Sequence, residues 1–570
     1  MGRMDRSVQG SPGREPDRDI DRDIDRDIDR DIDTDTVVLP AVPPGPTVSD
    51  RANRSGATTG TRPAISRGIV LGIAVLVLVQ QAWLVLGWFS RFVSDDWALL
   101  WAAAESWGRL RPEQPNFWGQ EYGSTLESIP TQMLHAVGLG YPLALPIVLS
   151  GAHLASWWIP AAAAWRRRHH FLAALAVAMP ALLSTEYVVA ASVYGTAAGR
   201  FLGGIVLAMV ILFPDRLRWT AAAVAVSGCA FLVDTSSLLM TAPACAYGVV
   251  RCLPQARERG WRRSATTFLI ALTPLGLWLA FVGWWYGEHP ADNLHPTTPF
   301  APSWDVLADN LENPARMLGP YSPELLRTPF FILFVVALLG VLVVRQRRIG
   351  PIVAFVTLIL VTALVLSLGK TYDDLGSVYF QAARLLLPLP MGLWFVAVCL
   401  RPLPVSARWQ QWAAVGLVVV LGLTAAWRVI TWSDRGGALQ AQAVAAGSQY
   451  PEMPVAQMDA ECSRVRDAAV AAGTDIAIFD DRIPTYGCAA LIGPAITTLY
   501  PGYDRRRWVL EALDRPQDVA TVLYVGSAPG LCQAETETCT AVGPGITTIA
   551  LNGRSPLQML HDMQIAVRPF

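Results

Sequence analysis

The stretch that decides the fold is GIVLGIAVLVLVQQAWLVLGWFSRFVSDDWALLWAAAESW, residues 68–107. Its first part, residues 68–90, carries no charge over more than the ~20 residues that a bilayer-spanning helix needs. Ser94, Asp95 and Asp96 follow, so the acidic pair must emerge at a membrane surface. Because ionisable groups at that depth are costly, this pair is the first candidate for the chemistry of the chain.

The segment that follows the acidic pair, residues 97–107, is rich in Leu, Trp and Ala. Such a composition suits a helix that lies in the membrane interface rather than crossing the bilayer. We therefore expect this helix to hold the two carboxylates at a fixed depth.

The composition of the whole chain is that of a multi-span membrane protein. Of 570 residues, 52% are hydrophobic, only 16% are charged and 21 are Trp, which excludes an ordinary soluble enzyme. No P-loop or dinucleotide-binding glycine motif occurs, and no Cys/His cluster has zinc spacing. We expect neither a nucleotide site nor a nucleic-acid partner.

Residues 1–66 are polar and contain DRDI four times, from Asp17 to Ile32. We interpret them as a disordered cytoplasmic tail. A helical ladder of Arg/Asp pairs is the alternative, but Asp is a poor interior helix former and each repeat has one apolar residue. A cleavable signal peptide is not expected, because the first apolar run is longer than a signal core.

The remaining apolar runs and the basic clusters between them predict the membrane topology. We predict eleven spans: 68–90, 141–165, 171–190, 196–213, 219–233, 235–250, 264–286, 329–344, 349–369, 385–400 and 410–430. With this count every basic cluster between spans falls on the cytoplasmic side, as the positive-inside rule requires. The segments 91–140 and 287–328 then become external loops, and the C-terminal region is extracytoplasmic.

The C-terminal region alternates helix-like and strand-like segments, the latter being TDIAIFD, VATVLYVGS and GITTIAL. We expect a small α/β domain outside the membrane. Four of the eight cysteines lie there, and an oxidising compartment permits disulfides. Cys532 with Cys539 is the favoured pair and Cys462 with Cys488 the second; four free thiols are the alternative.

The predicted fold class is mainly α: a polytopic transmembrane helical bundle of about eleven spans with a small C-terminal extracytoplasmic α/β domain. The predicted organisation is a tail at 1–66, a membrane domain at 67–432 and the C-terminal domain at 433–570.

Three short motifs in the membrane domain resemble a known family. They are SDDW after the first span, YGSTLE at residues 122–127, and VYFQAARLLLPLPM at residues 378–391. The first external loop is similar to that of GT-C glycosyltransferases that depend on polyprenyl- or dolichyl-phosphate sugars, such as protein mannosyltransferases and the aminoarabinose transferase of lipid A. The third motif is similar to an Arg-(Tyr)-Leu-Leu-Pro stretch in these enzymes, with Leu385 where relatives often have Tyr.

A sugar transfer outside the membrane has no nucleotide sugar available, so its donor must be a lipid-linked sugar that has already crossed. The enzyme needs a carboxylate to take the proton of the acceptor hydroxyl and a positive charge for the leaving phosphate. We assign the first role to Asp95, with Asp96 beside it, and the second to Arg384. The alternatives are a helix cap for one Asp and an interfacial anchor for Arg384.

Four further residues are candidates for substrate binding. Glu127 would bind sugar hydroxyls or hold Arg384, with a structural ion pair as the alternative. The resemblance implies that Glu186 is a second acid near a metal or phosphate. Trp118 and Tyr122 would stack on sugars, although aromatic residues are common at interfaces. No cofactor is certain; Mg²⁺ or Mn²⁺ at Asp95, Asp96 and Glu186 would suit hard oxygen ligands.

The sequence therefore predicts an inverting membrane glycosyltransferase of the cell membrane, with the N-terminus cytoplasmic. Its partners would be a lipid-linked sugar donor, membrane lipids and an extracytoplasmic glycan, lipid or protein acceptor. An oligosaccharide polymerase or ligase with a diphosphate-linked donor is the nearest alternative. A lipid or sugar transporter or flippase is the rival from another class, but no repeated halves and few midspan charges are found.

Overall fold

The structure is a computed structural model of the full chain. It describes residues 65–119, 123–193, 196–290, 302–312, 318–326, 328–368, 385–401, 406–445, 453–480, 485–502, 504–514, 520–527, 532 and 539–567. Almost all of the predicted tail, together with Tyr122 and Arg384, lies outside the described residues.

The described residues are mostly helical. The helices are α1 Arg67–Gly87, α2 Asp95–Gly108, α3 Ser128–Ala136, α4 Tyr141–Arg166, α5 His170–Leu182, α6 Thr185–Val193, α7 Ala197–Leu212, α8 Leu217–Val233, α9 Leu238–Arg259, α10 Trp261–Glu288, α11 Trp304–Glu312, α12 Pro329–Gln346, α13 Ile349–Leu366, α14 Leu389–Cys399, α15 Ala407–Ala445, α16 Val455–Ala472, α17 Cys488–Leu491, α18 Arg507–Asp514 and α19 Pro556–Asp562. The strands are β1 Phe92–Val93, β2 Met453–Pro454, β3 Ile476–Phe479, β4 Thr497–Leu499, β5 Thr521–Val525, β6 Cys539–Gly543 and β7 Ile546–Ala550.

The chain is a multi-pass membrane protein. In the described part of the chain, seven helical segments are long and apolar enough to cross a membrane. An eighth exists if the bent pair α6 and α7 is one span, and α5, α8 and α14 are shorter apolar helices. Together these eleven correspond one to one with the predicted spans.

Contacts between helix ends sort the bundle into two sides. We call the end that contacts residues 453–567 the sheet side, and the opposite end the far side. On the far side the Arg167 guanidinium donates to the carbonyl of Ile211 at 3.1 Å, and the Leu217 amide donates to Gln255 Oε1 at 2.6 Å. Gln346 and the backbone of Arg401 exchange two hydrogen bonds there.

On the sheet side the opposite helix ends meet. Leu183 pairs with Pro323, and Pro302 pairs with Leu368. The Tyr187 hydroxyl donates to the carbonyl of Leu387 at 3.1 Å. The short helices α5, α8 and α14 thus join the two sides as the longer helices do. Of the eleven segments that join the two sides, ten lie between β1 and β2 along the chain. This number is even, as it must be for β1 and β2 to pair on the same side of the bundle.

The third predicted span, 171–190, was too long. Its helix α5 ends at Leu182, and α6 begins at Thr185 on the sheet side. The break has a local cause: Leu183 is extended, pairs with Pro323, and accepts a hydrogen bond from the Arg428 guanidinium through its carbonyl.

The expectation that residues 97–107 lie in the lipid interface was also wrong. They form α2 as predicted, but Trp97, Leu100 and Trp101 are almost completely buried in protein. Trp101 lies next to Gly487 of the C-terminal domain, where an added Cβ would come within 3.3 Å of its ring. The apolar face of α2 is therefore covered by protein rather than by lipid.

The C-terminal domain contains a five-stranded sheet of order β4-β3-β5-β7-β6. β4, β3 and β5 run parallel to one another. β7 is antiparallel to β5, and β6 is antiparallel to β7. Two disulfides join the pairs named from the sequence: Cys462 with Cys488 and Cys532 with Cys539, with Cα–Cα distances of 5.3 and 5.4 Å.

The membrane domain and the C-terminal domain are joined in two ways. β1, directly after α1, pairs antiparallel with β2. Helix α15 continues from the bundle to Ala445, past residue 432 where the sequence suggested a boundary. The segment that follows α1 and the sheet domain thus lie on the same side of the bundle.

Candidate functional site

The acidic pair opens helix α2 at the junction of the two domains. Ser94 is the N-cap: its hydroxyl accepts a hydrogen bond from the Trp97 amide at 3.3 Å. Asp95 and Asp96 occupy the first two helical positions, where negative charge interacts well with the helix dipole. The cap role considered for one of the acids therefore belongs to Ser94. The side chain of Asp95 lies outside what the structure describes, and Asp96 is half-buried.

Arg506 of the C-terminal domain, which is 1% exposed, holds helix α2 in place. Its guanidinium binds Asp504 through both carboxylate oxygens, with a shortest distance of 2.7 Å, and reaches Glu105 on α2 at 3.0 Å. It also donates to the carbonyl of Thr498 at 2.9 Å. Charge-assisted bidentate contacts of this kind are among the strongest hydrogen bonds in proteins. The cluster fixes the distance between α2 and the sheet domain.

Trp508 completes this contact. Its indole nitrogen donates to the Ser106 hydroxyl at 3.3 Å, and the Arg109 guanidinium lies 4.0 Å from its ring centroid. Arg109 is in turn paired with Glu105 at 3.3 Å. The C-terminal half of α2 thus rests on α18.

Glu113 forms a second link between the segment that follows α2 and the sheet domain. Its Oε2 accepts a hydrogen bond from the Arg507 amide at 2.6 Å. Burial raises the pKa of Glu113 to about 7, and the hydrogen bond from Arg507 offsets this only in part. The Arg507 guanidinium also lies 4.7 Å from the ring of Trp285 at the end of α10.

Glu127 lies at the start of α3 and reaches into the bundle. Its Oε1 accepts a hydrogen bond from the Ala198 amide at 2.8 Å, and the residue is 2% exposed. Burial raises the pKa of Glu127 to about 7, although the Ala198 amide and the positive charge of Arg200 act in the other direction. Ser128 adds a bond from its hydroxyl to the carbonyl of Leu100 on α2, so α2 and α3 move together.

Beneath Glu127 lies Arg200, which is fully buried near the start of α7. Its guanidinium donates to the Thr196 hydroxyl at 2.7 Å and to the carbonyl of Ala191 at 2.8 Å, and lies 3.9 Å from Asp234. Asp234 accepts two hydrogen bonds from Ser236, a contact typical of an Asp in a turn. Glu127 therefore holds the start of α7 through the Ala198 amide, while Arg200, which lies next to Asp234, acts on it only electrostatically.

Glu186 is half-buried in the first turn of α6, next to a second buried ion pair. The carboxylate of Glu324 accepts from the Thr185 amide at 2.5 Å and its hydroxyl at 3.0 Å, and lies 3.6 Å from Arg428. Glu324, Arg428 and Arg200 were not identified from the sequence. For the two arginines the available signal was a lone charge in an apolar run, which usually marks function or buried pairing.

Of the remaining predicted site residues, the structure describes only Trp118. Trp118 is 4% exposed, so its ring is covered by protein and a sugar would have to displace that cover. Tyr122 and Arg384 lie outside the described residues, and their roles stay predictions. Within the described residues no group of three His, Cys, Asp or Glu side chains has metal-binding spacing.

No protein-family model and no curated protein matches the chain. Among solved structures, the fold is similar to ArnT from Cupriavidus metallidurans, solved bound to undecaprenyl phosphate. The TM-score is 0.45 and the identity 15%, over 85% of this chain and 98% of that chain.

Proposed function

We propose that the protein is an integral membrane glycosyltransferase that takes a sugar from a polyprenyl-phosphate donor. The observation that carries the proposal is the acidic pair at the start of α2. It follows the first span, its helix has a separate cap in Ser94, and the helix is clamped by Arg506. A pair of carboxylates at the start of a rigid helix that Ser94 caps, at a domain junction, suits general-base chemistry.

In the proposed reaction the acceptor hydroxyl attacks the anomeric carbon of the sugar. Asp95 takes the hydroxyl proton as the new C–O bond forms, and the bond to the lipid phosphate breaks with inversion. Arg384 would neutralise the leaving phosphate by bidentate contact. A single base without a carboxylate nucleophile favours inversion over a covalent intermediate.

The C-terminal domain would bind or orient the acceptor outside the membrane. Its two disulfides support an oxidising, extracytoplasmic compartment for this domain and for the acidic pair on the same side. The protein would then lie in the cell membrane with its N-terminus in the cytoplasm. A Mg²⁺ or Mn²⁺ ion at Asp95, Asp96 and Glu186 remains a proposal that metal titration tests.

The decisive experiment supplies the purified full chain with polyprenyl-phosphate hexoses and pentoses and with extracted envelope acceptors. Consumption of one such donor, with the sugar appearing on an acceptor, is the expected result. If only diphosphate-linked oligosaccharides are consumed, the protein is a polymerase or ligase instead. Movement of lipid-linked sugar between leaflets without transfer would make it a flippase.

A further inference from the structure

A cavity of about 450 Å³ lies on the far side of the bundle, at the opposite end from the acidic pair. It is enclosed by the ends of α5, α12, α14 and α15. Its walls are largely apolar, formed by Leu339, Leu342, Ala397 and Leu400 among others. In a membrane-spanning bundle such a volume is surrounded by lipid, so its natural content is a hydrocarbon chain.

One rim of the cavity is basic. Arg168, His169 and Arg401 line it, and no acidic side chain occurs among its described lining residues. Within the described part of the chain, neither guanidinium takes part in an ion pair. On the same side of the bundle Arg251 is neutralised by Asp215 at 2.7 Å, so the lack of an acid at the cavity is a local property.

Both arginines are held in place through their backbones. Gln346, which also lines the cavity, accepts from the Arg401 amide at 2.9 Å and donates to its carbonyl at 3.4 Å. Arg168 follows the end of α4 with φ of 67°, a left-handed conformation that glycine usually adopts after a helix. Keeping an arginine at a position that favours glycine points to a use for its side chain.

We propose that this cavity binds a lipid with an anionic phosphate head group. The phosphate would accept hydrogen bonds from Arg168 and Arg401, and an acyl or prenyl chain would occupy the apolar part. Trp409, which is exposed at the cavity edge, suits the boundary between head groups and chains. Basic pockets between membrane helices are a known form of anionic-lipid site. The site is separate from the proposed donor site and does not depend on glycosyl transfer.

The test measures lipid retention by the delipidated full chain in detergent, using native mass spectrometry with added phosphatidylglycerol, phosphatidylcholine or glycerol phosphate. We expect phosphatidylglycerol to bind at least tenfold more tightly than phosphatidylcholine, and glycerol phosphate not to displace it. The double variant Arg168→Gln/Arg401→Gln should weaken this binding tenfold or more. The matched control Arg262→Gln/Arg263→Gln removes two exposed charges from the same side, outside the cavity, and should change it less than twofold.

Ala397→Phe provides a second test that keeps both arginines. It fills the apolar part of the cavity and should lower phosphatidylglycerol binding even though the basic rim is intact. Equal retention of the two lipids by the wild-type chain would overturn the proposal. So would full binding by the double variant, or displacement by glycerol phosphate, which would indicate a site for free phosphate. Should the double variant not fold, Ala397→Phe and the wild-type lipid comparison decide the question.

Discussion

The two sides of the bundle differ in whether they bury arginine. On the far side the described arginines, from Arg166 to Arg168 and from Arg345 to Arg408, are exposed to solvent or head groups. On the sheet side four arginines are almost completely buried: Arg200, Arg428, Arg505 and Arg506. Burying an arginine costs several kcal/mol unless partners compensate for the lost hydration. Among the described residues, buried arginine is therefore confined to the sheet side, where partners from both domains can compensate for its lost hydration.

The largest effect is expected on the sheet side, where replacing Asp95 should reduce the rate of sugar transfer. A carboxylate that acts as a base cannot be replaced by an amide of the same shape, and general-base help is worth typically 10²–10⁴-fold. Asp95→Asn should therefore reduce sugar transfer by about that factor. The measurement is the transfer rate from a purified polyprenyl-phosphate donor, with the amount of folded protein checked by size-exclusion chromatography.

Two controls separate chemistry from helix formation. Asp96→Asn should lower transfer less, because the family resemblance places the base at the first acid of the pair. Ser94→Ala removes the cap and should cost about 1 kcal/mol of stability while both carboxylates remain. If Asp95→Asn and the double Asn variant transfer sugar at the wild-type rate, the acidic pair is structural.

The second effect concerns stability at the domain junction. Arg506→Met leaves Asp504 and Glu105 without their main partner, and breaking a buried ion pair of this kind costs about 3–5 kcal/mol. The thermal midpoint of the purified chain should fall accordingly. The matched control is Arg554→Gln in the same domain, whose pair with Asp562 at 3.4 Å is partly exposed and worth about 0–1 kcal/mol. An equal fall in the thermal midpoint of the two variants would mean that the buried ion pairs of Arg506 do not stabilise the domain junction.

The acidic pair was predicted from the sequence, whereas the contacts of Arg506 were not, and the difference has a physical reason. The acidic pair and the helix after it are local signals: a charge-free run, a cap residue and an apolar segment follow one another. The ion pair between Arg506 and Glu105, in contrast, joins residues 401 positions apart. Its own segment, DRRRWVLEALD, looks like a continuous helix, whereas α18 begins only at Arg507 and the residues before it turn inward. Nothing local indicates that turn.

The same distinction holds for the rest of the fold. Strands β3, β5 and β7 were predicted because they are runs of β-branched and apolar residues. β4 and β6 were missed, since TTL is short and CTAVG is mostly solvent-exposed. The burial of α2 was missed because a Trp-rich amphipathic face suits lipid and protein equally well. Only the docked sheet domain decides between them.

The third prediction uses the raised pKa of Glu127. Its folded-state pKa of about 7 lies above the ordinary value of 4.5, so the native state holds this proton more tightly than the unfolded chain. The resulting stability is present below about pH 4.5 and is lost as pH rises through 7. Glu127→Gln resembles the protonated form and should flatten this part of the pH profile of the thermal midpoint.

Glu113 is the matched comparison, because burial raises its pKa to about 7 as well. Glu113→Gln should remove a similar part of the pH dependence at the domain junction, and the double variant should be flatter than either single one. An unchanged pH profile in Glu127→Gln would mean that folding does not raise the pKa of this carboxyl group.

The smallest effect is expected on the far side, from the ion pair between Arg251 and Asp215. Both side chains are largely exposed, at 46% and 60%, and exposed pairs are worth about 0–1 kcal/mol. Asp215→Asn should therefore leave the thermal midpoint and the transfer rate close to wild type, with any difference reduced further by salt. Measured beside Asp95→Asn, this variant tests whether the chemistry is confined to the sheet side. A comparable loss of transfer from Asp215→Asn would place the reaction, or a step that limits it, at both ends of the bundle.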